Sequence, residues 1–216
     1  MSIPTLAAHP NPSSPVLSHF SLSGKNAIVT GGTRGIGLEV SRGLAEAGAS
    51  VAMIYTSTKP STADEVASSI SQSTGQQVKA YKANVTSATE ISDTINSITQ
   101  DLFGGRLDIV VANAGIASHY AGEDYTPEQF QEIMNVNLNG AFYTAQAAGR
   151  IFKSQCSQGG RQGQVIFTAS VSAILVNIPQ KQSAYNASKA AVVQLARSLS
   201  VEWVGFARVN CVSPVS

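Results

Sequence analysis

Charge is scarce in this sequence: 12% of residues are Asp, Glu, Lys or Arg, and the formal net charge is +1. No stripe of Lys or Arg forms, so neither nucleic acid nor an anionic membrane is an expected partner. Cysteine is scarcer still. Cys156 and Cys211 are too few for a disulfide framework and lack metal-ligand spacing. Three scattered histidines (His9, His19, His119) offer no metal site either. No apolar run reaches the roughly 20 residues of a membrane span. Ahead of Lys25 the chain has no Lys or Arg. A secretory leader needs a basic start and an apolar run of ~7–15 residues, and a mitochondrial leader is Arg-rich, so neither is expected. The Pro/Ser-rich residues 1–20 therefore read as a flexible extension on a soluble cytoplasmic protein, with one folded domain over 21–216.

What is present is apolar residue, 43% of a 216-residue chain, enough for one sizeable core. Within it, Tyr185 and Lys189 stand four residues apart at the head of an apolar-periodic run over 190–203. Helical spacing puts both side chains on one face, about a turn apart. A phenol with its ordinary pKa near ~10 is idle at neutral pH, but a nearby ammonium favours the phenolate. Such a pair can pass a proton to or from a substrate oxygen. An amphipathic helix with Tyr and Lys on its rim would carry the same spacing. Residues upstream decide between the two.

Residues 26–30 form a short apolar run fit for a buried strand, leading into Gly31-Gly32-Thr33-Arg34-Gly35-Ile36-Gly37 and a helical pattern over 38–47. Strand, Gly-rich turn and helix form the context of a dinucleotide-binding loop. Gly31 permits the tight turn, Gly35 lets backbone approach a pyrophosphate, and Gly37 allows close helix packing. A second strand over 50–55 ends in Tyr55-Thr56-Ser57-Thr58-Lys59, with no carboxylate to bind a ribose 2′-OH. Together with Arg34 inside the turn, that predicts NADP(H).

The alternation continues, with helices over 62–73, 88–103, 127–153 and from 183 to about 205. Strands are expected over 78–83, 107–112, 164–169 and 208–212. Six nearly all-apolar strands alternating with helices predict a doubly wound, Rossmann-type α/β fold with a parallel sheet covered on both faces.

Taken together, Thr30-Gly31-x-x-x-Gly35-x-Gly37, Asn113-Ala114-Gly115, Asn137, Ser170 and Tyr185-x-x-x-Lys189 resemble the short-chain dehydrogenase/reductase family over nearly the whole chain. Narrower similarity, through residues 168–180, 196–199 and 206–210, is to fungal NADP-dependent mannitol dehydrogenases and sorbose reductases. The resemblance implies that Tyr185 is the general acid in reduction and the base in oxidation. Lys189 would favour the phenolate and hydrogen-bond the nicotinamide ribose. Ser170 would hold the substrate carbonyl, with Ser172 the alternative. Asn137 would position a water linking Lys189 to solvent. Cofactor contacts are implied for Gly31, Thr33, Arg34, Gly35, Ile36, Gly37, Tyr55, Thr56, Ser57, Asn84, Val85, Asn113, Ala114, Gly115 and Pro214, besides Tyr185 and Lys189. Asn84 falls near the adenine, where the family more often has Asp.

Family members continue past the Ser-Pro pair with Gly, a substrate-covering loop, further helices and a seventh strand, whereas this sequence reads Ser213-Pro214-Val215-Ser216. A six-stranded sheet without that lid is expected. So is a homodimer through the two long helices, with Ala141, Ala145, Ala148, Val193 and Ala196 suiting close helix packing. The expected activity is NADPH-dependent reduction of a small-molecule ketone or aldehyde, from a polyol/ketose pair or fungal secondary metabolism. Two rivals stand beside it: a dinucleotide-binding protein with little catalysis, and an interaction subunit.

Overall fold

The computed structural model describes residues 15–215. Residues 1–14 lie outside it, so most of the expected flexible extension does too. Six strands form one parallel sheet in the order β3-β2-β1-β4-β5-β6. In chain order the elements are β1 (Asn26–Thr30), α1 (Gly35–Glu46), β2 (Ser50–Tyr55), α2 (Pro60–Thr74), β3 (Val78–Lys82) and α3 (Ala88–Ser97). They continue with β4 (Ile109–Ala112), α4 (Pro127–Met134), α5 (Gly140–Ser157), β5 (Gly163–Thr168), α6 (Ser183–Glu202) and β6 (Ala207–Val212). Among the described residues no helix is long and apolar enough to cross a membrane.

Strand residues alternate between two cores, as the pleat requires. Ile28, Ile54, Val110, Val165 and Phe167 pack with α3, α5 and α6 on one face. Ala27, Val29, Val51, Met53 and Val111 pack with α1 and α2 on the other. Both faces of the central strands are thereby buried, the condition for a parallel sheet. The ladder order reverses between β1 and β4, which pair in parallel. Their carboxyl ends diverge into a crevice, the usual ligand position in such a sheet.

Three expectations need correction. The expected strand over 107–112 starts two residues later, at Ile109. Leu107 instead exchanges both its backbone groups with the Gln155 side-chain amide, each bond at 2.8 Å. The expected continuous helix over 127–153 is interrupted by a π-helical turn, Asn135–Asn139, and the helix over 88–103 closes in another, Ile98–Leu102. Each π turn adds a residue to the winding and rotates the residues beyond it about the helix axis. Finally, Ala141, Ala145, Ala148 and Ala196 are buried in the chain's own core, because these faces of α5 and α6 lie on the sheet. They cannot form an intersubunit surface.

Candidate active site

A cleft of about 610 Å³ opens at the crevice between β1 and β4. Behind its lining lies Thr30, whose buried Oγ1 accepts from the N–H groups of Asn113 (3.0 Å) and Ala114 (3.1 Å). The Asn113 amide returns the bond, donating to the Thr30 carbonyl at 3.0 Å. Two strand ends are thus pinned where the sheet must split.

The Gly-rich turn is fitted to this junction. Gly31 has φ +65, and Asn113 and Ala114 lie 3.1 Å from where its Cβ would stand. A Cβ on Gly37 would collide with the Gly31 carbonyl oxygen, so no larger residue fits. Gly35 has φ +54 and open space beside it. Arg34 occupies the N-cap position of α1 without capping it, which leaves the first N–H groups of that helix free for an anion. Thr33 bonds Thr58 at 2.8 Å, tying the turn to the loop after β2. No carboxylate stands at the end of β2, and the exposed Arg34 guanidinium lines the same end of the cleft. These residues fit a dinucleotide carrying a 2′-phosphate.

Every residue the sequence assigned to the cofactor lines this cleft, from Gly31 to Pro214. At Asn84 the fit is indirect, since its Oδ1 accepts from Thr86 N and Oγ1 and so caps its own turn.

At the other end stand Ser170, Tyr185 and Lys189. Ser170 follows β5, and its Oγ accepts from the Ser172 N–H at 3.1 Å, leaving its O–H to donate elsewhere. Ser172 is not in the cleft lining; its hydroxyl accepts from Gln182 at 3.3 Å. Lys189 Nζ lies 5.6 Å from the Tyr185 ring centre and donates to the Thr168 carbonyl at 2.8 Å. Lys189 is 4% exposed, and that burial brings its pKa down to about 8, with the Cys211 thiol opposing. Burial in turn pushes the Cys211 thiol up, against the Ala169 N–H, Lys189 and Arg197.

Asn137 does not line the cleft. It is 1% exposed and sits in the π turn, where its side chain brackets Ile116. Oδ1 accepts from Ile116 N at 2.8 Å and Nδ2 donates to Ile116 O at 2.9 Å. It holds the backbone beside Gly115, whose missing Cβ would lie 3.3 Å from Asn137 Oδ1 and 3.5 Å from Lys189 Nζ. Sequence reasoning missed Thr58 in the lining, and Thr30 and Ser188 as supports behind it. Thr30 stood inside the glycine motif and could have been found. The π turn left no periodicity signal.

The family model for the short chain dehydrogenase matches residues 25–216. A probable NADP-dependent mannitol dehydrogenase of Yarrowia lipolytica is 47% identical over 207 residues, 95% of this chain and 71% of that protein. The sorbose reductase sou1 of Schizosaccharomyces pombe is 45% identical over 91% of this chain and 74% of its own. The crystal structure of an NADPH-dependent 3-quinuclidinone reductase from Rhodotorula rubra superimposes with a TM-score of 0.86 at 40% identity, covering 98% of this chain and 76% of that one.

Proposed function

The chain belongs to the short-chain dehydrogenase family, and from that premise we propose that it is an NADP(H)-dependent oxidoreductase interconverting a ketose and a polyol. The observation carrying this reading is the meeting of Ser170, Tyr185 and Lys189 at one end of a cleft whose other end presents Arg34 and no carboxylate. NADP(H) would lie along the Gly31–Gly37 turn, its pyrophosphate on the α1 N-terminus and its 2′-phosphate toward Arg34. The bound dinucleotide supplies or takes up the hydride. In reduction, Ser170 holds the carbonyl oxygen and stabilises the charge that develops there. Tyr185 gives that oxygen its proton, and Lys189 supports the departing phenolate. In oxidation the proton runs the other way. Naming the substrate a ketose rests on relatives that act on mannitol and sorbose by their names. The test is NADPH consumption with a panel of ketoses. NADPH binding without turnover of any ketose or simple ketone would leave a dinucleotide-binding protein instead.

The cofactor assignment carries its own expectation. NADPH should bind more tightly than NADH by roughly 1–3 kcal/mol, the worth of charge-assisted hydrogen bonds to a phosphate. Arg34→Ala should narrow the gap about tenfold in Kd by removing the guanidinium. Equal affinities of the parent chain in a fluorescence titration would refute the assignment.

For assembly the proposal is a cytoplasmic homodimer through the outer faces of α5 and α6. On α6 the small residues Ala187 and Ala190 and the polar Gln194 and Ser198 are exposed, which permits close approach of a second helix. Light scattering should give twice the mass of the chain, and a monomer at micromolar concentration would exclude the interface.

A further inference from the structure

We propose that Ser188 is a positioning residue that locks Asn137 and the first turn of α6 together, fixing Ile116 and Tyr185 relative to each other. The inference rests on the oxidoreductase reading, since it concerns the same proton-transfer site.

Ser188 is fully buried and does not line the cleft. Its hydroxyl has one hydrogen and uses it, donating to the Tyr185 carbonyl at 2.7 Å. Its oxygen accepts from Asn137 Nδ2 at 3.0 Å. The other Nδ2 hydrogen goes to the Ile116 carbonyl, and Oδ1 takes the Ile116 N–H. Both hydrogens of the Asn137 amide are therefore committed, one to the loop after β4 and one to Ser188. Without Ser188, one of those hydrogens would have no partner in a site closed to water. The amide would then be free to turn and release Ile116.

The placement matters because of what lies at each end. Ile116 adjoins Gly115 in the cleft lining, and the Tyr185 carbonyl belongs to the turn that carries the proton donor. A π turn swings Asn137 inward to reach both. Ser188 thus closes a chain running from the cleft floor through Asn137 to the backbone of Tyr185. It touches neither substrate nor cofactor, so its influence passes through these two neighbours.

Two readouts test this, one of them independent of activity. In Ser188→Ala the Ile116 amide should exchange its hydrogen at least about tenfold faster by NMR, while Met53 in β2 keeps its protection. Turnover per NADPH-binding site should fall about tenfold with the NADPH Kd within twofold of the parent. Adding Ser188→Ala to Asn137→Ala should cost less than about twofold more, because both act through one bond. Ser188→Thr retains a hydroxyl that can bond the same carbonyl and should restore both protection and turnover. Unchanged Ile116 exchange in Ser188→Ala overturns the proposal whether or not the protein turns over. Lost protection with full turnover per site also overturns it, as do multiplicative effects in the double variant. If the parent chain consumes no substrate, the oxidoreductase reading fails on that evidence, and the exchange of Ile116 alone decides whether Ser188 holds Asn137.

Discussion

Tyr185→Phe is expected to cut turnover by at least ~10² while leaving NADPH affinity close to that of the parent chain. The substitution removes one oxygen and keeps the ring. The packing of α6 and the 5.6 Å approach of Lys189 Nζ to the ring face therefore persist. What is lost is the O–H that protonates the nascent alkoxide, a contribution usually worth about 10²–10⁴-fold for a positioned general acid. Ser170 remains to hold the carbonyl, since its own anchor is the Ser172 N–H. Residual turnover should therefore come from carbonyl polarisation and cofactor placement alone. Steady-state NADPH consumption gives kcat, and a fluorescence titration gives the Kd. Equal kcat in the two proteins would end the proposed role. A matching loss of NADPH affinity would recast Tyr185 as a binding residue.

Much of this site could be read before any fold was known, because its chemistry sits at strand ends. Apolar runs bounded by Gly or Asn mark the carboxyl ends of β1 and β4, and a doubly wound sheet gathers such ends into one crevice. The Gly31–Gly37 spacing and the Tyr185–Lys189 spacing are backbone periodicities, so a sequence carries them intact. Side-chain capture of backbone is not periodic, and there the reading fell short. Gln155 binds Leu107 from 48 residues away and takes the place of ladder bonds. For Asn137 the resemblance implied a water to position, and nothing in the spacing announced the π turn that sets its side chain behind the cleft wall to bracket Ile116. The alanines of α5 and α6 suited a dimer by size, but size does not say which side of a helix meets the sheet. Only packing assigns Ala145 and Ala148 to the core.

Lys189→Met should be the most damaging change to function and, at neutral pH, a stabilising one. Lys189 is 4% exposed, and burial lowers its pKa to about 8 from an ordinary value of 10.5. The sign comes from proton counting. Between about 8 and 10.5 the unfolded chain holds the Lys189 proton and the folded chain has released it, so stability rises with pH across that window. Below it both states are protonated, and the folded chain carries the full burden of a buried ammonium. At roughly 1.4 kcal/mol per pKa unit that burden is on the order of 3 kcal/mol. Methionine fills similar space without charge. It forfeits the bond to the Thr168 carbonyl, worth about 1 kcal/mol net. Denaturant unfolding should then show Lys189→Met more stable than the parent by about 2 kcal/mol at neutral pH. The advantage should shrink as pH climbs through the window and reverse above it, where only the lost hydrogen bond counts. Taking the difference between the two proteins cancels most other titrations. Cys211 is the exception, because its thiol feels the Lys189 charge, and Cys211→Ala in both backgrounds removes it. Turnover should drop at least ~10², with weaker NADPH binding, if the ammonium serves both Tyr185 and the cofactor ribose as proposed. A variant less stable than the parent at neutral pH would show that the ammonium is stabilised where it lies, and that its burial is no strain kept for function.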